Sequence, residues 1–113
     1  MIAKELIKGT IRTIVLRLLS EHERMYGYEI MQTIDKNTNG KIKLNFGSLY
    51  PILHKLEADG LIDSESENQG KRVRKYYYLT SSGKVETKSK IAELKEFVKT
   101  LNGLMEGGVE WLV

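Results

Sequence analysis

The sequence has no cysteine, one proline, one tryptophan and only two histidines among its 113 residues. Without cysteine the chain forms neither disulfides nor thiolate metal sites. Two histidines are too few to favour another kind of metal site, and no cofactor is expected. No apolar run approaches the roughly 20 residues that span a bilayer. The start is not a signal peptide, because Lys4, Glu5 and Lys8 interrupt any apolar stretch. We therefore expect a cytoplasmic protein that makes no use of a membrane.

Positive charge is in modest excess and unevenly placed. The net charge is +3, and residues 80–113 contain five lysines and five glutamates, which cancel. The excess therefore lies in residues 1–79 and is densest at Lys71, Arg72, Arg74 and Lys75. A local basic cluster is a signature of a site for polyanions such as nucleic acid. On its own such a cluster marks a solvated turn more often than a nucleic-acid contact.

Three short helices are predicted in the first half of the chain. An apolar stripe between residues 7 and 19 marks the first, and either Thr10 caps it or residues 6–10 belong to a longer helix. The second has its apolar face between residues 27 and 34, and the polar cluster 37–40 ends it.

The third helix spans residues 46–59, with Asn45 as its N-cap and Gly60 as its C-terminal stop. Pro51 lies past the first turn, where it removes a backbone hydrogen bond. Either the helix starts later, or its first turn is irregular.

A β-hairpin follows, with strands at residues 61–67 and 73–79 around a glycine-containing loop. The second strand is rich in tyrosine, which favours β-structure, and we expect it to pack on the helices. Asp63, Glu65 and Glu67 of the first strand are placed to pair with the cations of the second.

The last element is a long helix over residues 81–105 with Thr80 as its cap. Its apolar residues are spaced 3, 4, 3 and 4, the heptad pattern of a helix that packs along a partner helix. The predicted dimerisation residues are Ile91, Leu94, Val98, Leu101 and Met105. The only tryptophan, Trp111, follows in a short apolar tail.

Three helices, a hairpin and a long helix make the chain mostly α with a β-hairpin (α+β), arranged as a winged helix-turn-helix. The predicted units are residues 1–79, which bind DNA, and residues 80–113, a dimerisation helix with its tail. In this layout the third helix enters the major groove and the hairpin reaches the neighbouring backbone. Ser48 and Tyr50 can donate hydrogen bonds to phosphates, and a helix N-terminus attracts them.

Several motifs resemble the PadR family of transcriptional regulators. They are YGYEI at 26–30, GSLYPILHKLE at 47–57, GLI at 60–62, GKRVRKYYYLT at 70–80 and Gly83. The resemblance runs from about residue 9 to residue 83. It implies the short form of the family, in which one long dimerisation helix replaces a larger effector domain. Such proteins are typically repressors that bind pseudo-palindromic operators.

The resemblance also implies roles for residues. Tyr28 matches a tyrosine that often approaches the DNA backbone, and Leu49 lies with Ser48 and Tyr50 at the start of the recognition helix. The full set of predicted DNA contacts is Tyr28, Asn45, Gly47, Ser48, Leu49, Tyr50, His54, Lys55, Lys71, Arg72, Arg74 and Lys75.

Some members respond to phenolic acids or to planar aromatic drugs held between subunits. Drug-binding relatives can use a tryptophan in the middle of the last helix, and residues 90–100 contain none here. A small aromatic effector is therefore left as an unassigned partner.

The leading prediction is a homodimeric regulator of transcription that binds double-stranded DNA. The alternatives are a sensor whose main site for aromatic ligands lies at the dimer interface, and a winged-helix adaptor that binds proteins. An enzyme is not expected, because the sequence lacks a phosphate-binding glycine loop, a paired-carboxylate pattern and a nucleophile with an evident base.

Overall fold

The computed structural model describes residues 2–106, which form five helices and a three-stranded sheet. Along the chain these are α1 (Lys4–Ile7), α2 (Ile11–Glu21), β1 (Met25–Tyr26), α3 (Gly27–Asn37), α4 (Phe46–Ala58), β2 (Ile62–Gln69), β3 (Arg72–Leu79) and α5 (Ser81–Met105). This order of elements confirms the predicted α+β winged-helix class. None of the helices in residues 2–106 is long and apolar enough to cross a bilayer.

The sheet is antiparallel, with strand order β1-β3-β2. β2 and β3 pair over their full lengths, from Ile62 opposite Leu79 to Gln69 opposite Arg72. Only Gly70 and Lys71 remain in the turn, and Gly70 adopts a φ of +66° that favours glycine. The predicted five-residue loop was therefore wrong. β1 was not predicted, because two residues carry no readable periodicity.

The core lies where α2, α3 and α4 meet the inner face of the sheet. Its fully buried side chains are Val15, Leu16, Ile30, Leu49, Leu53, Leu56 and Tyr77. Tyr77 lies in the C-terminal half of β3, and burial raises the pKa of its hydroxyl to about 12. The middle tyrosine of the tyrosine-rich strand thus packs on the helices, as its β-favouring sequence predicts.

The helix boundaries settle the alternatives that the sequence left open. α1 is a separate helix, and the Thr10 hydroxyl donates to the Ile7 carbonyl at 2.7 Å instead of capping α2. α4 starts at Phe46 and continues through Pro51, so a later start was wrong. Gly60, with φ +75°, follows the end of α4 as predicted.

A close backbone contact fixes the start of α5. The Thr80 hydroxyl lies 2.7 Å from the Gly60 carbonyl oxygen and accepts the Gly83 N–H at 3.0 Å. A Cβ at Gly83 would lie 1.9 Å from the Leu61 carbonyl oxygen, so only glycine allows this approach. The docking of α5 therefore depends on the corner between α4 and β2.

Candidate nucleic-acid interface

α4 has one buried side and one open side. Leu49, Leu53 and Leu56 are fully buried, which points the opposite side of the helix outward. That outward side is exposed along its length and carries Gly47, Pro51, His54 and Ala58. Small residues near the start of the helix let another backbone come close to it.

The N-terminal end of α4 is built to receive an anion. The Asn45 side chain accepts the Ser48 N–H at 2.9 Å, which satisfies one of the unpaired amides of the first turn. The amides of Phe46 and Gly47 have no intrahelical acceptor, and both residues are exposed. The Ser48 hydroxyl is exposed beside them. Two N–H groups and a hydroxyl are therefore available to a phosphate.

An aromatic row runs along one side of the open face. The ring of Phe46 stacks on Tyr50 with centroids 5.3 Å apart, and Tyr50 meets His54 at 6.2 Å. Phe46 is 47% and Tyr50 38% exposed. A Cβ on Gly27 would lie 3.3 Å from the Tyr50 hydroxyl, so Tyr50 packs against the start of α3 while its ring stays accessible. Tyr28, next to Gly27, is exposed as well.

Sequence reasoning missed Phe46. The signal was present, because Phe46 and Tyr50 are four residues apart and such pairs meet on one side of a helix. The prediction placed Phe46 only at the first position of the helix and gave its ring no role.

The hairpin of β2 and β3 is the wing of the fold, and its four cations divide into two pairs. Lys71 and Arg72 are exposed at the hairpin tip and form no ion pair within residues 2–106. The Arg74 guanidinium lies over the Tyr26 ring, 4.4 Å from its centroid. Lys75 reaches Glu57 of α4 at 3.5 Å. Among the described residues the tip therefore offers two unpaired cations. The other two attach the wing to β1 and to α4.

The acidic residues of β2 do not have the partners that the sequence suggested. Glu65 and Glu67 both bind Arg24, which precedes β1, and the contact to Glu65 is 2.7 Å. Arg24 also lies 4.0 Å above the ring of Tyr76, which is on β3, the strand between β1 and β2. The pairing expected with cations of β3 was wrong, because strand order β1-β3-β2 lets Arg24 reach across the sheet's outer face.

A second group of ion pairs lies at the C-terminal end of α4. Asp59 accepts a hydrogen bond from Arg12 at 2.7 Å and lies 3.3 Å from Lys55. The hydrogen bond from Arg12, and then the one from Lys55, hold the pKa of the Asp59 carboxyl below its usual value. Lys55 stays exposed, so this contact is available for exchange with a phosphate.

The predicted dimerisation residues of α5 form a seam that α2 covers only at its N-terminal end. Ile91 and Leu94 are partly buried beside Ile14 and Leu18 of α2, where they line an apolar groove of about 480 Å³. Beyond them Val98, Leu101 and Met105 are exposed, by 47%, 40% and 73%. Phe97, also exposed, adds to this apolar surface.

A family model described as the transcriptional regulator PadR-like family matches residues 15–89 of the chain. The chain belongs to the PadR family. A transcriptional regulator from Clostridium thermocellum is similar to this PadR-family chain with a TM-score of 0.80 and 32% identity, over 90% of this chain and 96% of that chain. An uncharacterized protein of Lysinibacillus sphaericus is 34% identical over 110 residues, 95% of this chain and 98% of the relative.

Bacillus subtilis PadR in complex with operator DNA is similar with a TM-score of 0.65 and 28% identity. The match covers 72% of this chain and 46% of that chain. These likenesses confirm the PadR resemblance and the winged-helix fold. The family and the Clostridium thermocellum structure are described as transcriptional regulators, which agrees with the prediction that the chain is not an enzyme.

The predicted contacts of this PadR-family chain fall into one cluster and one outlying group. Asn45, Gly47, Ser48, Tyr50, His54 and Lys55 share the exposed surface of α4, with Tyr28 beside it. Lys71, Arg72 and Arg74 lie out along the hairpin, and Lys75 lies nearer to α4. Leu49 is fully buried, so its side chain anchors α4 and the prediction that it contacts DNA is corrected.

Two further predictions concern metals and the tail. Within residues 2–106 no three His, Asp or Glu side chains are placed to hold a metal ion. Trp111 lies outside the described residues, so its role stays open.

Proposed function

We propose that this regulator binds operator DNA as a homodimer and acts as a repressor in the cytoplasm. α4 of each protomer enters the major groove, and the wing tip reaches the flanking backbone. In this proposal residues 1–79 are the DNA-binding unit, and residues 80–113 join the protomers.

One observation carries the proposal. The outward side of α4, from Gly47 to Ala58, is exposed and carries small and polar residues, while its inward side is fully buried. The exposed first turn adds the free amides of Phe46 and Gly47 and the Ser48 hydroxyl, which suit an anionic partner. The likeness to Bacillus subtilis PadR, a structure with operator DNA, supports duplex DNA as that partner.

The support for a dimer comes from α5. Its 25 residues span about 37 Å, and its second half leaves Phe97, Val98, Leu101 and Met105 exposed. Apolar residues grouped in this way mark an interface. A dimer that binds successive major grooves must hold its two recognition helices about 34 Å apart, one turn of DNA.

The test is the salt dependence of binding to a fluorescein-labelled duplex. Each phosphate contact contributes about 0.9 to the slope of log K against log salt. Lys71→Ala/Arg72→Ala removes four tip cations from a dimer, so we expect the slope to fall by up to about 3.6.

The control is Lys84→Ala/Lys88→Ala, which removes the same charge from exposed positions of α5, a helix that packs mainly on α2. We expect its slope to equal that of the wild type. If both double variants lower the slope equally, the wing has no special role. If the wild type ignores duplex DNA in dilute salt, the proposed function is wrong.

The apolar groove between α2 and α5 favours a second role as a sensor. Ile14, Leu18 and Leu94 line it, and the exposed seam of α5 continues from it. A small aromatic effector bound there would change how two α5 helices pack and release the DNA. The test is a panel of aromatic compounds added to the protein–DNA complex, with anisotropy reporting release. Full retention of DNA across the panel would exclude this role for those compounds.

A further inference from the structure

A basic hollow lies beside α4 on the side opposite the wing. It has a volume of about 340 Å³ and is bounded by α1, the start of α2 and the first turns of α4. Lys4, Lys8 and Lys43 line it, together with a single acid, Glu5. Ser48 of α4 forms part of the same wall. Three cations therefore adjoin one of the proposed phosphate-binding groups.

These lysines are positioned by the packing of α1. The Ile2 N–H donates to the Lys41 carbonyl at 2.7 Å, which joins the N-terminal segment to the chain just before α4. Ile7 of α1 and Ile11 of α2 are buried in the core. The α1 lysines thus belong to the folded domain.

The charges of these lysines are available. All three side chains belong to exposed residues, and Lys4 and Lys8 form no ion pair within residues 2–106. Lys43 has only Asp35, at 3.9 Å, as a partner. By contrast, Lys75 of the wing is closer to its acid, Glu57. Unpaired cations next to an open recognition surface are available to neutralise the phosphates of a polyanion.

Helix geometry places the hollow and the wing on opposite sides of α4. Side chains advance by about 100° per residue, so Ser48 and Ile52 project to one side of the outward face and Tyr50 and Glu57 to the other. Ser48 and Ile52 line the hollow. Glu57 contacts Lys75 of the wing at 3.5 Å. The outward face of α4 is therefore flanked by cations on both sides.

We propose that Lys4, Lys8 and Lys43 bind the phosphate backbone on the side of the major groove away from the wing. This rests on the proposed function. The major groove is about 12 Å wide and a helix with its side chains about 10–12 Å, so a helix that fills the groove meets both backbones. The wing binds one phosphate backbone and the basic hollow binds the other. Together these contacts fix the orientation of α4 across the groove.

The experiment compares Lys4→Gln/Lys8→Gln/Lys43→Gln with wild type on a labelled duplex of about 30 bp, enough for two half-sites. Counterion release predicts that each lost phosphate contact lowers the salt slope by about 0.9 and the affinity at 0.1 M salt about eightfold. The triple variant removes six lysines from a dimer, so we expect its slope to fall by up to about 5.4. Glu5→Gln, at the same hollow, removes an acid and is expected to strengthen binding. Circular dichroism checks that both variants are folded.

Ethylation interference then locates the contact. Ethylated phosphates on the backbone away from the wing should impair binding of the wild type but not of the triple variant. If wild type and the wing variant behave as proposed but the triple variant keeps the full slope and the same interference pattern, this inference alone is wrong. If the wild type does not bind the duplex, the proposed function fails and this inference with it.

Discussion

Gly83→Ala tests the docking of α5 more sharply than any other single change. The new Cβ would lie 1.9 Å from the Leu61 carbonyl oxygen and 2.9 Å from the Leu61 carbonyl carbon. Both atoms belong to the backbone, so no side-chain rotation relieves the clash. An ordinary contact needs 3.4 Å or more, and the two backbones must therefore separate by about 1.5 Å.

The magnitude follows from what this separation breaks. Overpacking a close contact costs about 1–3 kcal/mol, and a rigid backbone neighbour places this case at the upper end. The shift also strains two bonds that Thr80 donates, from its hydroxyl to the Gly60 carbonyl and from its N–H to the Leu61 carbonyl, each a contribution of about 1 kcal/mol. We expect a loss of about 3–5 kcal/mol, a large part of the total stability of a small domain.

The assay is thermal unfolding followed by circular dichroism at one fixed protein concentration, because dimerisation makes Tm concentration-dependent. At about 4 °C per kcal/mol, Tm should fall by more than about 10 °C. Gly103→Ala is the matched control, since its Cβ meets nothing within 4 Å and alanine favours a helix by about 0.5–1 kcal/mol. A Gly83→Ala protein as stable as the wild type would refute the close approach of α5 to Leu61.

Three other changes have expected outcomes. Asn45→Ala removes the cap of Ser48 and should cost about 1 kcal/mol in urea unfolding, whereas Asn45→Asp should restore most of it. Leu49→Ala should cost about 2–5 kcal/mol by the same assay, because the side chain is fully buried; a loss of DNA binding without destabilisation would contradict that placement. Asp59→Asn should destabilise at neutral pH and not in acid: Arg12 and Lys55 lower the pKa of the folded carboxyl, so its contribution is present above the unfolded pKa and lost as pH falls through the folded one. An equal effect of Asp59→Asn at pH 7 and in strong acid would contradict this.

Local signals in the sequence predicted the helices and their ends. Asn45, Gly60 and Thr80 act at helix boundaries as their chemistry requires, and the apolar periodicity identified the buried side of α4. These features depend on neighbours within four residues, so one sequence contains the information.

Contacts between distant residues could not be read in this way. Arg24 binds Glu65 and Glu67, more than forty residues away, only because β1 lies beside β3. The basic hollow is likewise formed by residues distant in sequence, from α1 and from the segment before α4. The basic cluster at 71–75 suggested four equivalent cations, yet Arg74 and Lys75 are engaged by Tyr26 and Glu57. Which charges are free is decided by tertiary packing.

Hydroxyl-radical footprinting on a duplex that the protein selects from a random pool tests the central claim most directly. Two protomers that present α4 to successive grooves should protect two patches on one side of the duplex, about 10 bp apart. A single protected patch, or a pool from which no duplex is enriched, would contradict the account.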